Sequence, residues 1–309
     1  MKDFTSDKQL KGVSGWWNRD SVKTYGKAYN LTDPHVFRIV MSRQNKVLKF
    51  VDDLELAKGS KILELGYGPG HAALELGQRG FEIHGVDLST EFSELATQKC
   101  KEQHPEGKYY FKVGNIESNL DYEDGTFDCV VIIGVLHYLY DDNACMKEVH
   151  RVLKPGGYMV VGQRQGFGLA HLTSIRMFAR SCVYFLLREK HELFPSFKAI
   201  LCDSKLGVIF GRYKNSKFMN SKFMLKGHDV WKYKLKKKLY SYRRLISLFK
   251  KEGFRPLKYS GVYYSFSNSV DTYELNVKID NFLENLANKK FMNFVSRFAW
   301  IAVISNQKK

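Results

Sequence analysis

Apolar positions along this chain change their period several times, and each change marks an element. Ile62-Leu63-Glu64-Leu65 is a short apolar run closed by Gly66-Tyr67-Gly68-Pro69-Gly70, and a run of that length bounded by glycine predicts a buried strand over about 61–66. Helical spacing follows over 70–79, and Phe81 to Asp87 returns to a strand pattern. The alternation continues with strands at about 108–114, 127–133 and 157–163 and helices at 89–103 and 141–154. Upstream, Asp33-Pro34 reads as a helix start, Asp as N-cap and Pro in the first turn. Val36, Ile39, Val40, Val47, Leu48 and Val51 form its apolar stripe up to Gly59. Downstream, Ser241 reads as the N-cap of a helix from Tyr242 to Glu252 stopped by Gly253. Arg255 to Tyr263 and Arg297 to Ser305 read as final strands, with a helix near Val277 to Lys289 between them. Strands alternating with helices predict a doubly wound parallel sheet that binds its ligands beyond the carboxyl ends of the strands.

The turn after the first strand carries the strongest chemical signal. Gly66, Gly68 and Gly70 lack the Cβ that would keep a ligand away from the backbone. Asp87, 23 residues after Glu64, stands where an acidic strand end binds a ribose hydroxyl pair. The spacing is G-x-G-x-G preceded by a carboxylate. That carboxylate suits a ligand with an ammonium and a sulfonium and would repel a pyrophosphate.

On these residues the chain resembles the class I S-adenosylmethionine-dependent methyltransferases. The resemblance continues through Gly114-Asn115-Ile116, Asp124 to Asp128, Gly134 to Leu139 and Glu148 to Gly157, covers about 35–163, and returns after 240. It implies an α/β fold with a doubly wound, mostly parallel seven-stranded sheet whose last two strands pair antiparallel at its edge. A large insert follows strand 5 and a smaller one separates strands 6 and 7. The organisation expected is an N-terminal cap segment over 1–34, a Rossmann-like cofactor-binding core over 35–163, a substrate-cover insert over 164–240, and the end of the core sheet over 241–309 with a helical insert at about 264–292.

The resemblance also assigns roles. With S-adenosylmethionine as cofactor, Gly66, Gly68 and Gly70 form the floor under its methionine and ribose portions, and Glu64 lies near its amino group. Asp87 accepts the ribose hydroxyls and Leu88 flanks the adenine. Asn115 and Ile116 read the adenine edge, and Gly134 borders the methionine chain. His137 is the candidate base, since an unperturbed imidazole titrates near neutral pH, with a wall of the cofactor site as its other reading. Tyr138, Tyr25 and Tyr29 are candidate substrate contacts. Arg38 and Arg43 on the first long helix could reach the methionine carboxylate.

Composition narrows the picture. A chain of 309 residues with 44% hydrophobic content supports a full α/β core. Met1 to Ser14 is polar and no apolar run reaches about 18 residues, so neither a leader nor a spanning helix is expected. Five cysteines without a C-x-x-C pair suit reduced thiols and a cytoplasmic location, and no metal is expected. The net charge of +17 is concentrated. Residues 164–258 hold 23 Lys and Arg against 5 Asp and Glu, a surplus of 18, and are rich in aromatic rings.

That segment bears on the partner. The apolar stretch from Leu169 to Leu187 is broken by Arg176 and Arg180. It reads as a lid over the acceptor, or as an interfacial helix at an anionic membrane surface or over a lipid-linked substrate. An RNA contact is the weaker reading, since no RNA-binding module accompanies the basic and aromatic residues. No Pro-Cys dipeptide and no Asn/Asp-Pro-Pro-Tyr/Phe motif occurs, which disfavours cytosine, adenine and glutamine acceptors. The expected activity is methyl transfer to O or N of a small molecule that is aromatic, lipid-linked or anionic. The alternatives are an RNA methyltransferase and a cofactor-binding protein without turnover.

Overall fold

The computed structural model describes residues 6–17, 34–164, 240, 242–262 and 300–307. Within them the elements are α1 (Ser6–Trp16), α2 (Pro34–Asp52), β1 (Lys61–Leu65), α3 (His71–Gln78), β2 (Glu82–Asp87), α4 (Thr90–Gln103), β3 (Tyr109–Val113), β4 (Phe127–Ile133), α5 (Asp142–Val152), β5 (Leu153–Arg164), α6 (Tyr242–Lys251), β6 (Phe254–Val262) and β7 (Trp300–Gln307). The substrate-cover insert, the helix near Val277 to Lys289, Tyr25 and Tyr29 lie outside the described residues.

Seven strands form one sheet in the order β3-β2-β1-β4-β5-β7-β6. The first five run parallel, with Ile62 opposite Ile83 on one side and Cys129 on the other. β7 is antiparallel to both β5 and β6, the mostly parallel arrangement expected.

Alternation along each strand builds two cores. Leu63, Leu65, Val130, Ile132, Met159 and Val161 face α5 and α6, where Met146, Val149, Leu245 and Phe249 are buried. Their neighbours Ile62, Ile83, Cys129, Val131 and Val160 face α2 and α3, where Val47, Phe50, Val51 and Leu76 are buried. Strands covered on both faces read as continuous apolar runs, which is why β1 and β4 stand out in the sequence.

Three boundaries differ from expectation. The helix read up to 154 stops at Val152, and β5 begins at Leu153, with an irregular register between Phe127 and Cys129. Pro155 sits there because Phe127 pairs with Leu153 and pairing resumes only at Tyr158, so no ladder bond needs its missing N–H. α2 ends at Asp52 instead of running towards Gly59, and Glu55 turns the chain with φ 50. β7 extends to Gln307, two residues beyond the expected end. Among the described residues, no helix is long and apolar enough to cross a membrane.

Candidate functional site

A cleft open to solvent lies beyond the carboxyl ends of β1, β2 and β4, the place a doubly wound sheet reserves for ligands. Gly66 and Gly68 form part of its floor. Gly66 turns the chain at φ +72, and a Cβ there would lie 2.3 Å from Val135 Cγ2. Gly68, at φ +52, is different: a Cβ there would meet nothing within 4 Å. Its missing side chain leaves room in the cleft itself.

Gly70 serves the scaffold. It is the left-handed N-cap of α3, and a Cβ on it would stand 2.7 Å from Ala96 Cβ and 3.0 Å from Ala96 Cα. Gly70 therefore lets α3 and α4 approach each other and is not among the residues lining the cleft. Tyr67, buried between the two loop glycines, packs its ring at a tilt on that of Phe111, with the centroids 4.6 Å apart. Gly85 makes space for it, since a Cβ there would lie 2.5 Å from Tyr67 Cδ1.

Asp87 ends β2 and faces the cleft. Its Oδ2 accepts from the Gly68 amide and its Oδ1 from the Ser89 amide, both at 2.9 Å. Burial raises its pKa and the amides of Ser89, Gly68 and Leu88 oppose that. These amides fix the carboxylate and leave it acceptor capacity towards hydroxyl donors in the cleft.

Glu64 is 3% exposed and does not line the cleft. The Ala73 amide at the start of α3 donates to its carboxyl, and Oε2 has no hydrogen-bond partner. Burial first, and then the charge of Asp87, push its pKa up to about 8. With the Glu64 carboxyl largely protonated near neutral pH, Asp87 carries the negative charge of the pair under the glycine loop, a place that suits a cationic ligand group.

The rim comes from two loops. After β3, Asn115 forms a local turn in which its Oδ1 accepts from the Glu117 amide at 3.0 Å, and Ile116 is buried in the cleft wall. After β4, the Gly134 amide donates to Gly162 O at 2.7 Å. The 3₁₀ turn Leu136–Tyr138 then brings Tyr138 to the cleft.

His137, on the same turn, is not among the lining residues. Its Nδ1 stands 3.2 Å from Gln163 Nε2 at the end of β5, and its ring lies 4.1 Å from that of Tyr138. Arg43 does not line the cleft either: it is buried under β5, beside the site where a Gly162 Cβ would stand. Arg151 ties Glu148, Asp124 and the carbonyls of Leu120 and Tyr122 together.

Sequence reasoning missed the cover. Leu10, Val13 and Trp17 of the first described segment close one wall together with Phe92 of α4, and the Trp17 ring lies 5.6 Å from Phe92 and 6.0 Å from Tyr138. Their spacing of three and four is a helical stripe, a signal masked by the polar residues around it. Glu117, also missed, lines the cleft two residues beyond Asn115. The complete cleft combines apolar walls with carboxylates at Asp87 and Glu117, a donor set for a ligand with a flat apolar part, hydroxyls and a positive charge.

Residues 63–161 match the model of a family described as a methyltransferase domain. The chain is similar to the ubiquinone/menaquinone biosynthesis C-methyltransferase UbiE of Geotalea uraniireducens, 32% identical over 187 residues that cover 53% of this chain and 76% of that protein. It is similar to UbiE of Geotalea daltonii at 32% identity over 130 residues, covering 38% of this chain and 55% of that one. The chain spans about half the length of the first curated relatives it matches. Among solved structures, magnesium protoporphyrin IX methyltransferase from Synechocystis PCC 6803 with bound S-adenosylhomocysteine (SAH) shares the fold. It has a TM-score of 0.59 at 12% identity and covers 97% of this chain and all of that one.

Proposed function

Because the chain belongs to the class I S-adenosylmethionine-dependent methyltransferases, we propose that it transfers a methyl group directly to a small molecule that is aromatic, lipid-linked or anionic. Oxygen and nitrogen are the acceptor atoms that the sequence favours. Carbon joins them because relatives include C-methyltransferases. The observation that carries the reading is the pairing of Gly68 with Asp87: an open cradle beside a carboxylate whose two oxygens are already oriented by backbone amides.

The residues present fit the family's cofactor. Asp87 would hold the ribose hydroxyls, Leu88 and Ile116 would border the adenine, and the second acceptor position on Asn115 Oδ1 would face its amino edge. Gly66, Gly68 and Gly134 would leave room for the methionine portion, with Glu64 beneath it. When bound, the cofactor supplies a methyl group on a sulfonium, already electrophilic enough to need alignment more than activation. The chain's contribution is to exclude water with Leu10, Val13 and Trp17, to orient both partners and, for a hydroxyl acceptor, to take up a proton.

The cofactor assignment is tested by calorimetry with SAH. Asp87→Ala removes the acceptor of two hydroxyl bonds and should weaken binding by about 2–3 kcal/mol. Unchanged affinity would overturn it. His137 is proposed as the base at the rim, oriented by Gln163. His137→Gln should lower turnover about 10²- to 10⁴-fold while leaving SAH affinity alone. Turnover within tenfold of the wild type would make His137 a wall residue.

The basic segment 164–258 is proposed to steer an anionic acceptor, or the lipid surface that carries it, towards the cleft. Vesicles containing phosphatidylglycerol should retain the protein at 0.1 M salt and release it at 1 M.

A further inference from the structure

Tyr240 is the last residue of the expected substrate-cover insert, yet its side chain is only 1% exposed. It belongs to the core formed with Leu136, Leu139, Cys145, Leu245 and Phe249. Its hydroxyl lies 2.5 Å from Asp142 Oδ2 and 3.3 Å from the Leu136 carbonyl oxygen. Burial, and then the Asp142 charge, raise the phenol's pKa, so the group remains a donor and its one proton serves both acceptors unequally. On the other side of the ring, the Arg244 guanidinium carbon lies 5.4 Å from the ring centre.

Leu136 opens the turn Leu136–Tyr138, which carries Tyr138 to the cleft with His137 beside it. A three-residue 3₁₀ turn has little stability of its own. Two internal bonds hold this one, Tyr138 N to Val135 O at 2.8 Å and Leu139 N to Leu136 O at 3.2 Å. Contact then continues to the cover of the cleft. The Tyr138 carbonyl accepts from Gln9 Nε2 on α1, and the Tyr138 ring meets Trp17. A chain of contacts therefore runs from Tyr240 to the Leu136 carbonyl, through the turn to Tyr138, and on to Gln9 and Trp17.

We propose that Tyr240 is a positioning residue for the cofactor cleft, its hydroxyl fixing the Leu136–Tyr138 turn in the arrangement on which α1 seats. The proposal rests on the reading of this cleft as the S-adenosylmethionine site. It couples a buried phenol to the cleft cover through the carbonyl that opens the turn. Two states suffice for such coupling, α1 seated and α1 released, and both ends of the contact chain bias the choice between them.

Tyr240→Phe keeps the ring in the core and removes only the donor. SAH affinity should fall about tenfold, while the melting temperature falls by a few degrees. Gln9→Ala should also weaken SAH binding, and the double variant should be no worse than the weaker-binding single variant, because both changes release the same cover. Independent, multiplying losses would overturn the proposal, as would a Tyr240→Phe chain that binds SAH as tightly as the wild type. A wild-type chain that binds no SAH would instead overturn the cofactor reading, and this proposal with it. Should Tyr240→Phe fail to fold, hydrogen exchange on the wild type decides. SAH must then slow exchange in residues 6–17, 136–139 and 240–245 together, and protection of the first segment without the other two would overturn the coupling.

Discussion

Gly68→Val should reduce SAH affinity at least about a thousandfold while the domain remains folded, and Gly70→Ala, two residues away, should do the reverse. The contrast follows from what each new Cβ meets. At Gly68 it meets no protein atom within 4 Å, so the branched side chain occupies ligand space. The fold is charged only with the left-handed backbone at φ +52, a cost of about 1–2 kcal/mol. At Gly70 the methyl runs into Ala96, 3.0 Å from its Cα. Relief requires α3 and α4 to move apart, at about 3 kcal/mol once the φ of +74 is included. Thermal melts and SAH titrations on the two variants separate the effects. Intact SAH binding by Gly68→Val would remove that glycine from the floor of the site.

Glu64→Gln should raise the stability of the ligand-free protein at pH 8 by about 1–3 kcal/mol and change how stability depends on pH. The sign follows from the raised carboxyl pKa of about 8 in the folded chain, against an ordinary value of 4.5. Between those values the folded state holds a proton that the unfolded state has released. Wild-type stability from this group is therefore complete below pH 4.5 and is lost as pH rises towards 8. At 1.36 kcal/mol per pKa unit the shift sets an upper bound of roughly 4–5 kcal/mol. The new amide, placed where Oε2 has no partner, takes back part of it. The quantity to measure is the difference in melting temperature between variant and wild type from pH 5 to 9. A widening gap supports a buried, neutralised Glu64, and a constant gap would sink the idea.

What could be read from the sequence was whatever local chemistry imposes. β1 and β4 are buried on both faces and so appear as uninterrupted apolar runs, and Asp87 is visible because a carboxylate closes such a run. What could not be read depends on partners far along the chain. That Gly70 serves helix packing is decided by Ala96, 26 residues on, and that His137 turns towards Gln163 is decided across another 26. The early start of β5 was hidden by Pro155 and two glycines, a composition that reads as a loop until the register with β4 supplies the irregularity that tolerates it. Leu10, Val13 and Trp17 give too short a stripe to announce a cleft wall, and only their meeting with Phe92 and Tyr138 shows what they cover.

The position of β7 sets an order of events during synthesis. Among the described residues β6 pairs with β7 alone, and β7 also supplies the outer partner of β5, from Tyr158 opposite Asn306 to Arg164 opposite Trp300. A ribosome making this chain therefore releases β1 to β5, able to associate as they emerge, well before the strand that completes the edge exists. Throughout that interval the outer edge of β5 lacks its partner, and an exposed strand edge draws neighbouring nascent chains together.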